Sequence, residues 1–467
     1  MVTPNKSLNC SELFLEKYPV LYYLMFLVIP FLFWKTKYKV STHQGKLVGL
    51  SVFLLIFLIL YIFNKVRLRL DHLDPVTLYS GSLYLVWLFA SRFVAASPEG
   101  FWFNENGRQE GMIAILLYFC VFFVSRSAVN LKDSFWIHLC LVTTVSSLFR
   151  LSEFYNDYVD SPSQAIIGIP KELLIDEFKE FPIAFFGNRN LFGAYLCLMI
   201  PITFYLLFFR KKIWAIFPLG VQFWALVINQ TRSALIGLAI GLPCLFILMF
   251  IYYGRDIGRK KIFLSLIVVV LLCTLVLIIT KRISPQLWKR FTTIVTEAKK
   301  LFLSDADISR LGSGRVEVWM IVLNIIQAFP LFGTGLGAFT VVSPPFLPED
   351  YHKRTGHGIL GEAHNEYLQI AARTGIPSLL FWLLFLFSNL YQGLNRMKES
   401  PAYVVVFSSV VGYMVQAFFN ISVPDNAWIL FFFLGLLSRP GTLAPVDLSP
   451  KKAKVATTEE MPMQVEP

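Results

Sequence analysis

Apolar runs long enough to cross a bilayer recur from one end of this chain to the other, and nothing else in it constrains the fold as strongly. A membrane-spanning helix takes about 17–25 residues. Such runs fall near 18–34, 47–63, 76–95, 111–125, 134–149, 190–209, 213–229, 232–253, 262–280, 316–329, 376–393, 402–421 and 427–438. The run at 316–329 is short, carries Asn324 and Gln327 and stops at Pro330. It is read as a helix in or near the membrane interface, which leaves twelve spans. The expectation is an all-α polytopic transmembrane bundle of about 12 spans. A long helical extracytoplasmic loop should precede the third-last span.

Composition supports that reading. The 467 residues are 56% hydrophobic and 15% charged, with a mean hydropathy of +0.60 and 45 phenylalanines. Soluble chains carry about 25% charged residues, so lipid must cover part of this apolar surface. The net charge of +12 then reflects basic loops on the cytoplasmic side rather than a nucleic-acid partner, and none is expected. Cys120, Cys140, Cys197, Cys244 and Cys273 lie in or beside apolar runs without metal or disulfide spacing, as small packing residues do. The first run lacks a small-residue cleavage site and leads into further spans, so a cleaved signal is not expected.

Charge orients the bundle. Lys65–Arg67–Arg69, Arg126 with Lys132, Arg210–Lys211–Lys212, Arg255 with Arg259–Lys260–Lys261, and Arg396 with Lys398 all fall on one side of a twelve-span chain, taken as the cytoplasm. Both termini lie there too. Lys35, Lys37, Lys39 and Lys46 fall on the other side and break the rule. The outer face carries an acidic segment at about 150–188 (Glu153, Asp157, Asp160, Glu172, Asp176, Glu177, Glu180) and the longest polar stretch, 281–375. The chain thus divides into spans at 1–280, a large outer loop at 281–375, spans at 376–438, and a polar, Pro-rich tail at 439–467 expected to be disordered. Within the loop, Leu287, Phe291, Ile294, Ala298 and Leu301 follow helical spacing. That suits an amphipathic helix on the membrane, or equally one packed on the loop's own core.

Charged residues are nearly absent from span centres, whereas ion-coupled transporters place ionisable groups or broken helices there. Polar groups gather instead at the outer face. Gln230–Thr231–Arg232–Ser233 interrupts two apolar runs, and Gly187–Asn188–Arg189–Asn190 opens another. Either arginine could simply snorkel to headgroups, and Asn188 or Asn190 could cap a helix. Ser313–Gly314–Arg315 opens a helix on which Trp319, Leu323 and Ile326 share a face. Arg315 sits in its first turn, where backbone N–H groups favour an anion; it is a diphosphate clamp or a plain surface residue. Leu331–Phe332–Gly333–Thr334–Gly335–Leu336–Gly337 follows, with glycines that permit close approach of backbone to ligand. In His364–Asn365–Glu366–Tyr367–Leu368, His364 is expected to begin a helix, and Glu366 lies about 200° round the wheel from it. The two should not point at one atom, which leaves His364 as the reactive group or as a packing residue. His352, His357 and His364 share one loop without a standard metal spacing.

Taken together, four segments resemble the O-antigen ligase superfamily, which includes O-antigen polymerases and protein O-oligosaccharyltransferases. They are GNRNLFGAYLCLMIPI at 187–202, QTRSALIGL at 230–238, SGRVEVWMIVLNIIQAFPLFGTGLGAF at 313–339 and HNEYLQIAARTGIPSLLFW at 364–382. The resemblance implies a membrane glycosyltransferase of the bacterial inner membrane with its active site facing the periplasm. The donor would be a glycan on undecaprenyl diphosphate, and the acceptor lipid A–core in a ligase. No metal or other cofactor is implied. By motif, Arg232 and Arg315 would hold the diphosphate and His364 would act on the acceptor hydroxyl. Arg189, Asn188, Asn190, Gly333, Gly335 and Asn365 would contact substrate. A polymerase or a protein glycosylase would use the same chemistry with another acceptor, and a lipid-glycan transporter none at all.

Overall fold

The structure is a computed structural model that describes residues 20–35, 40–63, 66, 68–94, 99–103, 109–128, 130–159, 183–283, 314–356 and 358–445. The expected amphipathic helix at 287–301, most of the acidic segment, His357 and the tail beyond 445 lie outside these residues.

Every apolar run is helical. The chain is an all-α protein whose sole sheet, among the described residues, is a two-residue ribbon pairing Trp34–Lys35 with Val40–Ser41. Starts of helices follow local chemistry. Ser41, Asp74, Asn188 and Ser400 each cap a helix by accepting a backbone N–H, and proline fills the first turn after Asp74 and Ser400. Thr42–Ile62, Asp133–Glu153, Arg189–Phe209, Arg232–Ile257 and Ile376–Asn395 are long and apolar enough to cross a membrane. Shorter apolar helices include Val20–Phe31, Met112–Arg126, Ile213–Asn229, Pro401–Ala417 and Ala427–Leu437.

Burial separates centre from rim. Arg189–Phe209 is 89% buried and forms the axis of the bundle, whereas Thr42–Ile62 is 33% buried and shows an apolar face to the surroundings. Arg232–Ile257 and Pro401–Ala417 cross closely, because a Cβ on Gly237 would stand 2.5 Å from the Gly412 carbonyl oxygen. Small residues at a crossing let two membrane helices approach backbone to backbone.

A second, smaller core lies in the outer segment. There Arg315–Ala328 packs Ile321, Val322, Ile325 and Ile326 against Phe339, Tyr351, Leu360, Ala363, Ala371 and Ala372. Trp319, Leu323 and Ile326 share a face of this helix, but that face is not the buried stripe. The buried stripe runs 318, 321, 322, 325, 326, as a 3.6-residue period requires, and Met320 and Leu323 point outward. The first residues of the expected tail, 439–445, contact the bundle, with the Arg439 carbonyl accepting from the Tyr403 hydroxyl at 3.0 Å and that of Ala444 from Ser400 at 2.7 Å.

Arginines gather at one end of the bundle as a clasp. Buried Arg126 donates to the Ser438 carbonyl at 3.0 Å and to that of Asp71 at 2.9 Å. Arg396 donates to the Leu437 carbonyl at 3.1 Å, and Arg439 to the Asp71 carboxylate at 3.0 Å. Of the basic residues that broke the charge rule, Lys37 and Lys39 lie outside the described residues. Lys46 is not a loop charge: it is fully buried, 3.1 Å from the Asp425 carboxylate.

Candidate active site

Arg189, Arg232 and Arg315 are each the first residue of a helix, respectively Arg189–Phe204, Arg232–Ile257 and Arg315–Ala328. A helix N-terminus carries the positive end of the backbone dipole, so a cation there is poorly placed until an anion joins it. The first two helix starts are stitched together. Asn229 Nδ2 and Thr231 Oγ1 both donate to the Arg189 carbonyl, at 2.7 and 3.0 Å, across a left-handed Gln230 (φ 57°). The Arg189 side chain is exposed. Asn188 caps its helix by accepting from the Leu191 N–H at 3.1 Å, and the Asn190 carbonyl accepts from Asn420 at 3.2 Å. Arg315 follows Gly314, whose φ of 82° turns the chain into its helix. Burial holds the Arg315 guanidinium below its ordinary pKa, and the nearby charge of Arg232 lowers it further. Arg232 and Arg315 therefore lie near enough at two helix starts to feel each other's charge.

His364 does not begin a helix. It stands just before one, in a left-handed conformation (φ 50°), and Asn365 is the cap, its Oδ1 accepting from the Tyr367 and Leu368 N–H groups at 3.0 and 3.1 Å. The expected start was early because an Asn cap with extended backbone terminates the helix more firmly than His can extend it. His364 Nδ1 lies 2.9 Å from Glu362 Oε1, with the imidazole 37% and the carboxylate 13% exposed. A carboxylate at Nδ1 favours the tautomer that carries its proton there. Sequence reasoning passed over Glu362, although a carboxylate two residues before a reactive His was the available signal. Glu366, the first residue of that helix, points elsewhere. It accepts from the Ser422 N–H at 2.6 Å, and burial pushes its carboxyl up to about 7. With Glu110, Tyr118 and Arg373 it lines a cavity of about 70 Å³.

The backbone of the glycine-rich loop packs on backbone: the Thr334 and Gly335 N–H groups donate to the carbonyls of Ala372 and Arg373, both at 2.9 Å. Gly333 has φ 65°, and a Cβ there would fall 2.4 Å from the Arg373 carbonyl carbon. The glycines thus seat the loop against the end of the Glu366–Thr374 helix. Trp87 stacks on Phe332 at 4.8 Å and ties the loop to the bundle. Asn365 is likewise committed to its cap and is buried.

Sequence reasoning also missed the segment 418–426, which joins the pieces. Phe418 touches the rings of both Trp319 and Tyr367, Asn420 reaches Asn190, Ser422 reaches Glu366, and Asp425 reaches Lys46, His43 and Gly187. No motif marks it, because its partners sit far away in the chain.

The family described as O-antigen ligase matches residues 217–383, about a third of the chain. The match takes in Arg232, Arg315, Glu362 and His364 and begins after Arg189. No curated protein matches the chain. With helices of this length and apolarity, the match makes this an integral membrane protein. Over residues 217–383, the stretch that supplies Arg232, Arg315 and the His–Glu pair, the chain is similar to the O-antigen ligase family.

Proposed function

We propose that the protein transfers a glycan from undecaprenyl diphosphate to an acceptor hydroxyl at the periplasmic face of the bacterial inner membrane, with lipid A–core as the acceptor. The observation that carries this reading is the pairing of two features: arginines at helix starts, and a half-exposed His364 backed by Glu362. Segment 418–426 ties the two together.

In this mechanism Arg232 and Arg315 grip the diphosphate, and Arg189 adds charge from the neighbouring helix start. The acceptor oxygen attacks the anomeric carbon. The bond from that carbon to the diphosphate oxygen breaks, and its electron pair leaves on the diphosphate, where the guanidinium groups meet the growing charge. The hydroxyl proton passes to His364 Nε2, and Glu362 steadies the resulting imidazolium. A single displacement of this kind inverts the anomeric centre. A base in this role is worth roughly 10²–10⁴-fold in rate.

The test uses purified protein in nanodiscs, an undecaprenyl-diphosphate-linked oligosaccharide and lipid A–core, with chelator present. Transfer by the wild type, lost in Arg315→Ala and His364→Ala at equal folded yield, is the expected result. Lengthening of the lipid-linked glycan instead would make the protein a polymerase. Full activity in both variants would overturn the site.

A further inference from the structure

The segment just before Arg189 follows a backbone path that side chains rarely adopt. Ala184 and Phe185 both have left-handed φ values, 48° and 66°. Such a path persists only when its surroundings over-determine it. Here they do, and the contacts come from distant elements. Glu153 accepts from the Ala184 N–H at 2.8 Å. Lys46 donates to the Phe185 carbonyl at 2.5 Å. Asp425 accepts from the Gly187 N–H at 3.2 Å. Asn229 holds the Arg189 carbonyl, and Asn420 that of Asn190.

At the heart of these contacts lies an ion pair from which water is excluded. Lys46 and Asp425 are both fully buried, and His43 Nδ1 also meets the Asp425 carboxylate. Burial alone would raise the Asp425 pKa, but the charges of Lys46 and His43 hold it well below the usual carboxylate range. Stability alone is a weak reason for such a pair, since apolar side chains of like volume often serve as well. What the pair does here is specific: both members spend hydrogen bonds on the backbone of a single segment. That segment delivers Arg189, exposed, to the first turn of the most deeply buried long helix.

We propose that Asp425 and Lys46 are positioning residues for donor recognition, holding the 184–190 backbone so that Arg189 is presented to the diphosphate of the lipid-linked glycan. This rests on the transferase reading above. Neither residue touches the donor; they act through Arg189, as a supporting shell does for a binding group.

The test is a double-mutant cycle in nanodiscs, with an undecaprenyl-diphosphate-linked oligosaccharide as the probe. Asp425→Asn, Lys46→Met and Asn229→Ala are each made in the wild type and in Arg189→Ala. In the wild-type background each should lower kcat/KM for the donor by about tenfold or more, mainly through KM. In the Arg189→Ala background each should cost less than about twofold. Equal losses in both backgrounds would mean that these residues only hold the fold, and no loss in the first would equally overturn the proposal. Should Asp425→Asn not accumulate folded, Asn229→Ala, which keeps the ion pair, decides by the same criterion. Absence of turnover in the wild type would sink the transferase reading alone. The cycle is then read from undecaprenyl diphosphate binding by native mass spectrometry, and failure of the wild type to bind that probe would overturn both.

Discussion

The two ends of the bundle place most of their arginines differently, although Arg259 on the clasp side also opens a helix, Arg259–Ile283. At the clasp, Arg126 is the last residue of Met112–Arg126, while Arg210 and Arg396 are the residues that close their helices. A cation there meets the negative end of the helix dipole and finds carbonyls or carboxylates within reach, such as Asp133 at 2.7 Å from Arg210. At the other end Arg189, Arg232 and Arg315 begin their helices, where the dipole opposes them. The clasp arginines find carbonyls and carboxylates at helix ends, whereas a helix start is a place that favours an anion. Arginines of the first kind hold the fold, and under the proposed function those of the second kind serve the donor.

The comparison can be broken by experiment. The largest effect is expected at the His–Glu pair: His364→Ala should lower turnover about 10²–10⁴-fold with little change in thermal stability. Glu362→Gln should give a smaller loss that pH partly relieves. Arg315→Ala and Arg232→Ala should each lower kcat about 10²–10³-fold. Because two like charges then no longer face each other, unfolding midpoints in detergent should hold steady or rise. At the clasp the pattern reverses: Arg126→Ala should cost about 2–3 kcal/mol of stability by stranding buried carbonyls, with activity per folded molecule kept. If Arg126→Ala lost activity but no stability, the division between the two ends would fail.

A fourth effect sharpens the comparison through pH. The Glu366 carboxyl is raised from 4.5 to about 7 by burial. The folded state therefore binds a proton that the unfolded state releases between those values, and stability should fall as pH rises from about 4.5 to about 7, then level off. Melting curves of Glu366→Gln, which cannot ionise, should lack that slope. The smallest effect belongs to Asn365→Ala, about 1 kcal/mol for the lost cap, measurable by chemical denaturation.

The helices were legible because lipid imposes a local rule: each apolar run of sufficient length became one, from Val20–Val28 to Ala427–Leu437. The arginines and His364 were legible through short motifs. What escaped was set at long range. Lys46 and Asp425 are 379 positions apart, and Asn190 and Asn420 are 230 apart, so no periodicity joins them. The packing of the glycine loop was hidden for a related reason. A run of glycines announces that something approaches closely, but whether that is ligand or the Arg373 backbone depends on the packing of a helix further along the chain.

The crossing of Arg232–Ile257 with Pro401–Ala417 has a mechanical consequence. With Gly237 facing Gly412 there is no layer of side chains to slide, so these two helices move as one stiff post that carries Arg232 at one tip and joins 418–426 at its side.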